Sequence, residues 1–154
     1  MVPLYMLIAE LSWTDRLQAV VLPTLVSAFG VFFMRQYLAQ ALPAELVEAA
    51  RTDGASSLRI VWHVVFPVAR PAMAVLGMLT FVMAWNDFFW PIVALTQNGS
   101  PTVQVALTGL GRGYVPDQSV IMAGALLGTL PLLLVFLLFG RQIVGGIMQG
   151  AVKG

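Results

Sequence analysis

Three stretches of this sequence run for about twenty residues with almost no charge: Leu17 to Leu38, Pro71 to Leu95 and Ser119 to Phe139. That is the length at which an α-helix crosses the ~30 Å hydrocarbon layer of a bilayer. Hydrocarbon offers no water to bond a bare peptide group, so a spanning segment must satisfy its backbone internally, as a helix does. The rest of the composition agrees. Apolar residues make up 59% of the 154 and charged residues 10%, whereas a soluble domain carries about 25% charged residues. The sequence therefore predicts an all-α, polytopic transmembrane helical bundle with about three full spans. Pro23, Thr24 and Ser27 interrupt the first span and Pro131 should bend the third; prolines are tolerated in membrane helices where neighbours re-satisfy the freed carbonyls.

The opening segment Met1–Leu11 is apolar but too short to span. It lacks a basic leader and a small-residue cleavage site, so it does not read as a signal peptide. It reads either as a partial span, the tail of a helix whose earlier part is absent, or as an interfacial helix. On the first reading the chain is an N-terminally shortened subunit. No repeat or low-complexity tract divides it, so residues 1–154 are expected to form a single transmembrane domain.

Charge assigns the sides of the membrane. Arg35, Arg51, Arg59 and Arg70 flank or occupy the loop between the first two spans, and Arg141 and Lys153 follow the third. The other side holds only Arg16 and Arg112. Cytoplasmic loops are the basic ones, so the central loop over 43–70 and the C-terminus are expected inside. The Asp15–Arg16 turn and the Thr96–Asp117 connection are then expected outside.

Composition also excludes chemistry. Without cysteine there are no disulfides, thiol catalysis or cysteine metal sites, and the single His63 cannot build a histidine site alone. A net charge of +1 gives no footprint for nucleic acid. No G-x-x-x-x-G-K-[ST] loop is present, so this chain would not itself bind and hydrolyse ATP. An intramembrane enzyme would need paired catalytic groups, and Asp87 is the one acidic residue well inside a predicted span, with no partner in sight.

The central loop reads as two short helices and a sharp corner. Pro43 suits a first helical position, with Glu45 near the positive end of the dipole. Ala44, Leu46, Ala49 and Ala50 favour helix, and Gly54 can supply the left-handed residue that ends it. Ser56 or Ser57 can cap a second helix through Leu58, Ile60, Val61, Val64 and Val65. Pro67 and Pro71 then punctuate the entry to the next span. An amphipathic helix on a stiff corner fits a partner's groove; on pattern alone an ordinary solvated connector reads as well.

Asn86 and Asp87 fall inside the second predicted span, toward its outer edge. Ionisable residues there are functional candidates by default. They could line a polar solute pathway, with Trp85 and Trp90 offering flat faces to sugar rings, or belong to an interfacial aromatic belt around a wet carboxylate. The belt suits Trp90 better and the pathway Asn86. Gly124 and Gly128 form a G-x-x-x-G pair that permits close helix packing.

One combination is more specific than any of these. Glu48-Ala49-Ala50, three residues, Gly54, nine residues, then Val64-Val65-Phe66-Pro67 resembles the EAA loop of ABC importer permeases, E-A-A, three residues, G, nine residues, I-x-L-P. Val64 and Phe66 stand in for Ile and Leu. Trp85-Asn86-Asp87-Phe88-Phe89-Trp90-Pro91 and the terminal Gly150-Ala151-Val152-Lys153-Gly154 resemble the maltose-type carbohydrate permease group, of which this chain looks like the C-terminal part. The resemblance implies a type I permease fold in the cytoplasmic membrane, of which about three of the usual six spans are here. It implies a subunit that moves a sugar, or another small polar solute such as glycerol phosphate, by alternating access. By position, Glu48, Ala49, Ala50, Asp53, Gly54 and Pro67 would couple to the ATPase, and Trp85, Asn86 and Asp87 would line the solute pathway. It further implies a cytoplasmic ATP-binding subunit, a second permease subunit and an external solute-binding protein, with ATP used by the partner and no cofactor bound by this chain. A mere membrane anchor would have no need of that corner.

Overall fold

The computed structural model describes residues 1–96, 101–111 and 117–151. Arg112, Lys153 and the closing residues 152–154 lie outside the described residues. Among the described residues all regular structure is helical. The chain divides into two compact units, residues 1–25 with 81–137 and residues 26–80 with 138–154.

In the first unit, helix α1 (Val2–Glu10) carries Pro3 in its first turn, where a missing N–H costs nothing. It ends in a Schellman turn: the Trp13 N–H bonds to Ile8 O at 2.9 Å and the Ser12 N–H to Ala9 O at 3.0 Å. Ser12 sits at φ 56, where glycine is the usual occupant. Asp15, at φ 60, gives its N–H to Ala94 O at 3.0 Å. Its carboxylate accepts from the Thr96 hydroxyl at 3.3 and 3.4 Å. Helix α2 (Leu17–Thr24) and a short helix, Phe89–Ala94, complete the core of this unit: Ile8, Ala19, Trp90 and Ala94, with Leu4, Tyr5, Trp13, Val20 and Val93 against it.

The second unit contains α3 (Ala28–Ala41), capped by the Ser27 hydroxyl, which accepts the Gly30 N–H at 2.9 Å. Next come α4 (Ala44–Thr52) and α5 (Ser57–Ile60), a π turn over Val61–Val65, and α6 (Phe66–Asn86), whose last residues, from Phe81, belong to the first unit. The Phe89–Ala94 helix is then α7; α8 spans Val103–Gly109 and α9 spans Gln118–Ala151.

The predicted spans are present with altered limits. The first is broken: α2 ends at Thr24 and α3 begins at Ala28, and only as a pair do they have the length and apolarity to cross. Pro23 withholds an amide, and Ser27 takes an extended cap conformation that starts a new helix. The second runs unbroken over Ser57–Asn86, so Pro67 and Pro71 lie inside the helix rather than at its entry. It stops at Asn86, nine residues short of the expected Leu95. The third starts at Gln118, where the Asp117 carboxylate accepts the Ser119 N–H at 2.9 Å. It passes through Pro131 and continues beyond Phe139. In the most apolar windows of the second and third spans, 11% and 6% of residues are buried; their surfaces are left for lipid or further helices.

The G-x-x-x-G pair packs within the first unit. A Cβ on Gly124 would meet Leu110 and Leu107 of the α8 region, and one on Gly128 would meet Leu107 at 2.8 Å. The bare backbone of α9 thus lets α8 lie against it.

Candidate functional site

The central corner is built by local rules. Pro43 is the cap rather than the first helical residue, one position earlier than expected, because its ψ of 137° is extended. Glu45 lies in the first turn and Arg51 in the last, each complementing the dipole. Termination is a full Schellman motif: the Gly54 N–H bonds to Arg51 O and the Ala55 N–H to Ala50 O, both at 3.0 Å. Gly54 has φ +76. Nothing lies within 4 Å of a Cβ built there. The backbone conformation, not crowding, makes this position a glycine. Ser56 occupies the cap of α5, but its hydroxyl makes no capping bond.

This geometry brings five of the six coupling candidates together. Glu48, Ala49 and Ala50 lie on α4, and Asp53 and Gly54 form its end. Glu48, Ala49, Asp53 and Gly54 are exposed and Ala50 is half-buried. The Thr52 hydroxyl bonds back to the Glu48 backbone carbonyl at 3.0 Å. Pro67 stands apart, exposed in the first turn of α6.

The second group corrects an expectation. Asn86 closes the span Ser57–Asn86 and Asp87 lies just past it, at a break before α7. Asn86 is the last residue of α6, exposed, and its side-chain amide donates to Val82 O at 2.8 Å. The half-buried Asp87 accepts the Trp90 N–H at 3.4 Å, tethering the start of α7. Short polar side chains compete with the helix for backbone partners, and here they end one helix and begin another. Trp85 is half-buried, stacks on Phe81 at 5.6 Å, and donates its indole N–H to Gly128 O at 2.9 Å.

Trp90 is not a belt residue. It is 5% exposed and its indole N–H donates to Ala19 O at 3.0 Å. Ala19 lies four residues before Pro23, so its carbonyl is the one that proline leaves without a helical partner. The tryptophan fills that vacancy. The signal was legible, since every proline within a span frees a carbonyl that something must satisfy, but which side chain would do so was not. Among the described residues no group of three or more His, Cys, Asp or Glu could hold a metal ion.

Helices long and apolar enough to span, with an exposed two-helix corner and a polar break at the end of one of them, define a membrane-embedded helical protein. The chain belongs to the family of binding-protein-dependent transport system inner membrane components, which matches residues 1–148. It is therefore a multi-pass protein of the cytoplasmic membrane. It is 37% identical to the lactose transport system permease protein LacG of Rhizobium radiobacter, over 99% of this chain and 55% of that one. It is 35% identical to the arabinooligosaccharides transport system permease protein AraQ of Halalkalibacterium halodurans, over 100% and 55%. Identity to the sn-glycerol-3-phosphate transport system permease protein UgpE of Shigella flexneri is 36%, over 96% and 53%. The fold matches a crystal structure of a bacterial ABC transporter involved in the import of the acidic polysaccharide alginate, with TM-score 0.68 and 29% identity over 97% of this chain and 55% of that one. The chain thus spans about half the length of the curated relatives it matches.

Proposed function

We propose that this chain is the C-terminal part of a permease subunit that imports a carbohydrate, driven by ATP hydrolysis on a separate subunit. The observation that carries the reading is the α4–Gly54 corner, which presents Glu48 and Asp53 on a surface their own unit leaves uncovered. A lone connector would need no such rigid ending. The residues belong to one permease domain, with the corner over 43–70 in the cytoplasm. The partners are a cytoplasmic ATP-binding subunit, a second permease subunit and an external solute-binding protein. Closure of the ATPase pair displaces the corner, and the membrane helices alternate between inward and outward access. This chain supplies contact and pathway, not catalysis. Sugars are the favoured class because lactose and arabinooligosaccharides name two relatives; glycerol phosphate is the alternative that a third relative supports.

Proteoliposomes holding the full-length permease, its partner permease, the ATPase and the solute-binding protein test this directly. ATP-dependent uptake of lactose or an arabinooligosaccharide is expected; accumulation of glycerol 3-phosphate alone would select the alternative, and uptake of none would refute the proposal. In the same assay Asn86→Ala and Asp87→Asn should raise the half-saturating solute concentration about two- to tenfold, the worth of one hydrogen bond. Normal uptake by both variants at every concentration would make these residues helix caps and nothing more.

Orientation is checked with single cysteines, since the chain has none of its own. Arg16→Cys is exposed and avoids the bonds of Asp15. An impermeant maleimide added outside intact cells should label position 16 and miss Asp53→Cys. Labelling in the opposite sense would invert the topology.

A further inference from the structure

We propose that the π turn Val61–Val65 sets the rotational register between the α4–Gly54 corner and the helix that follows it, with Pro67 as the residue that holds the turn. The functional consequence rests on the coupling role proposed above; the register itself does not.

The turn is marked by the Phe66 N–H, which reaches back five residues to Val61 O. Such a bond takes up one residue more than an α turn. One residue on, Pro67 has no N–H for His63 O, and in a plain α-helix its ring would collide with that carbonyl. Widening the turn relieves the collision.

The flanks show what the extra residue achieves. Ile60 before the turn and Ala69 and Ala72 after it are the buried residues of the continuous helix Ser57–Asn86. In an unbroken α-helix of about 3.6 residues per turn, Ile60 and Ala69 would point in opposite directions and Ala72 about 120° from Ile60. With one residue absorbed, Ile60 and Ala72 are separated by about three whole turns, and Ala69 falls within about 80° of Ile60. All three then share the face turned into their unit. Trp62, stacked on Phe66 at 5.1 Å, is left 62% exposed while Ile60 is 6% exposed. Because α5 meets α4 just across Gly54, the phase of Ile60 also fixes which way the corner faces.

A π turn can absorb the loss of one residue by becoming an α turn, in which Pro67 is tolerated at a cost as Pro71 is within α6, but not the gain of another. This gives a test independent of ATPase coupling. Ile60→Cys or Trp62→Cys is placed in the full-length permease, in nanodiscs open to reagent on both faces. Position 62 should react with maleimide about tenfold faster than position 60, the ratio of the two exposures. Deleting His63, whose ring bonds to the carbonyl of Arg59, should preserve that contrast. Inserting an alanine after His63 should abolish or reverse it. Pro67→Ala keeps the chain length and restores an amide for His63 O; it should cut the contrast at least severalfold. Equal sensitivity to deletion and insertion, or to neither, would overturn the π-turn register, and an unchanged contrast in Pro67→Ala would overturn the role of the proline. A preserved register with no ATPase binding would count against the coupling role alone.

Discussion

Trp90→Phe is expected to destabilise the first unit by about 1–3 kcal/mol, the cost of stranding a buried polar group. The lost group is the indole N–H on Ala19 O. Pro23 has already denied that carbonyl its helical donor, and a bilayer interior supplies no water in compensation. Trp90→Ala should cost about 3–5 kcal/mol, because it also empties the space between Ile8, Ala19 and Ala94. Pro23→Ala gives position 23 an amide that can serve Ala19 O within α2. On that background Trp90→Phe should cost about 1 kcal/mol less than on the native one. Thermal unfolding of the four proteins in one detergent completes the cycle. If Trp90→Phe costs the same with and without the proline, the indole is not the proline's replacement donor and the bond carries packing alone.

The second large effect is expected at the corner. An L-residue held at positive φ loses about 1–2 kcal/mol, and β-branching makes valine a poor occupant of this region. Gly54 stands at φ +76 with open space around its Cα, so Gly54→Val should not clash. It should turn the backbone out of the Schellman geometry and misalign α4 against α5. The bilayer still holds the spans, so membrane levels should remain normal while co-purification of the ATPase falls by about tenfold or more, one decade per ~1.4 kcal/mol. Gly54→Asn is the informative partner, because asparagine tolerates the left-handed region; it should retain most binding. Glu48→Lys reverses an exposed charge without disturbing the helix and should weaken binding and transport less than Gly54→Val does. Full ATPase binding and full transport in both Gly54→Val and Glu48→Lys would leave the corner a connector.

Much of this was fixed at the level of residue order. Long uncharged stretches demand helices because hydrocarbon bonds no peptide groups, and Gly54 demanded a turn because of what glycine permits. The spacing of Glu48-Ala49-Ala50 to Gly54 and Pro67 carried the family resemblance, and α4 with its ending formed where that pattern put it. These are local constraints, satisfied within a few residues.

What required the tertiary structure is everything in which one segment answers for another. A proline announces that a carbonyl is free; only the packed helices decide that Trp90 serves Ala19 and that Trp85 bonds to Gly128. Asn86 and Asp87 look like polar groups within a span when hydropathy is averaged over a window, yet their side chains find backbone partners and break the helix there. The π turn is invisible to composition, since the same residues could form an α turn. Pro67 disfavours that turn, and the absorbed residue puts Ile60, Ala69 and Ala72 on one face. Sequence determines which groups must be satisfied, and long-range packing determines by what, because the partners lie up to 81 residues away along the chain.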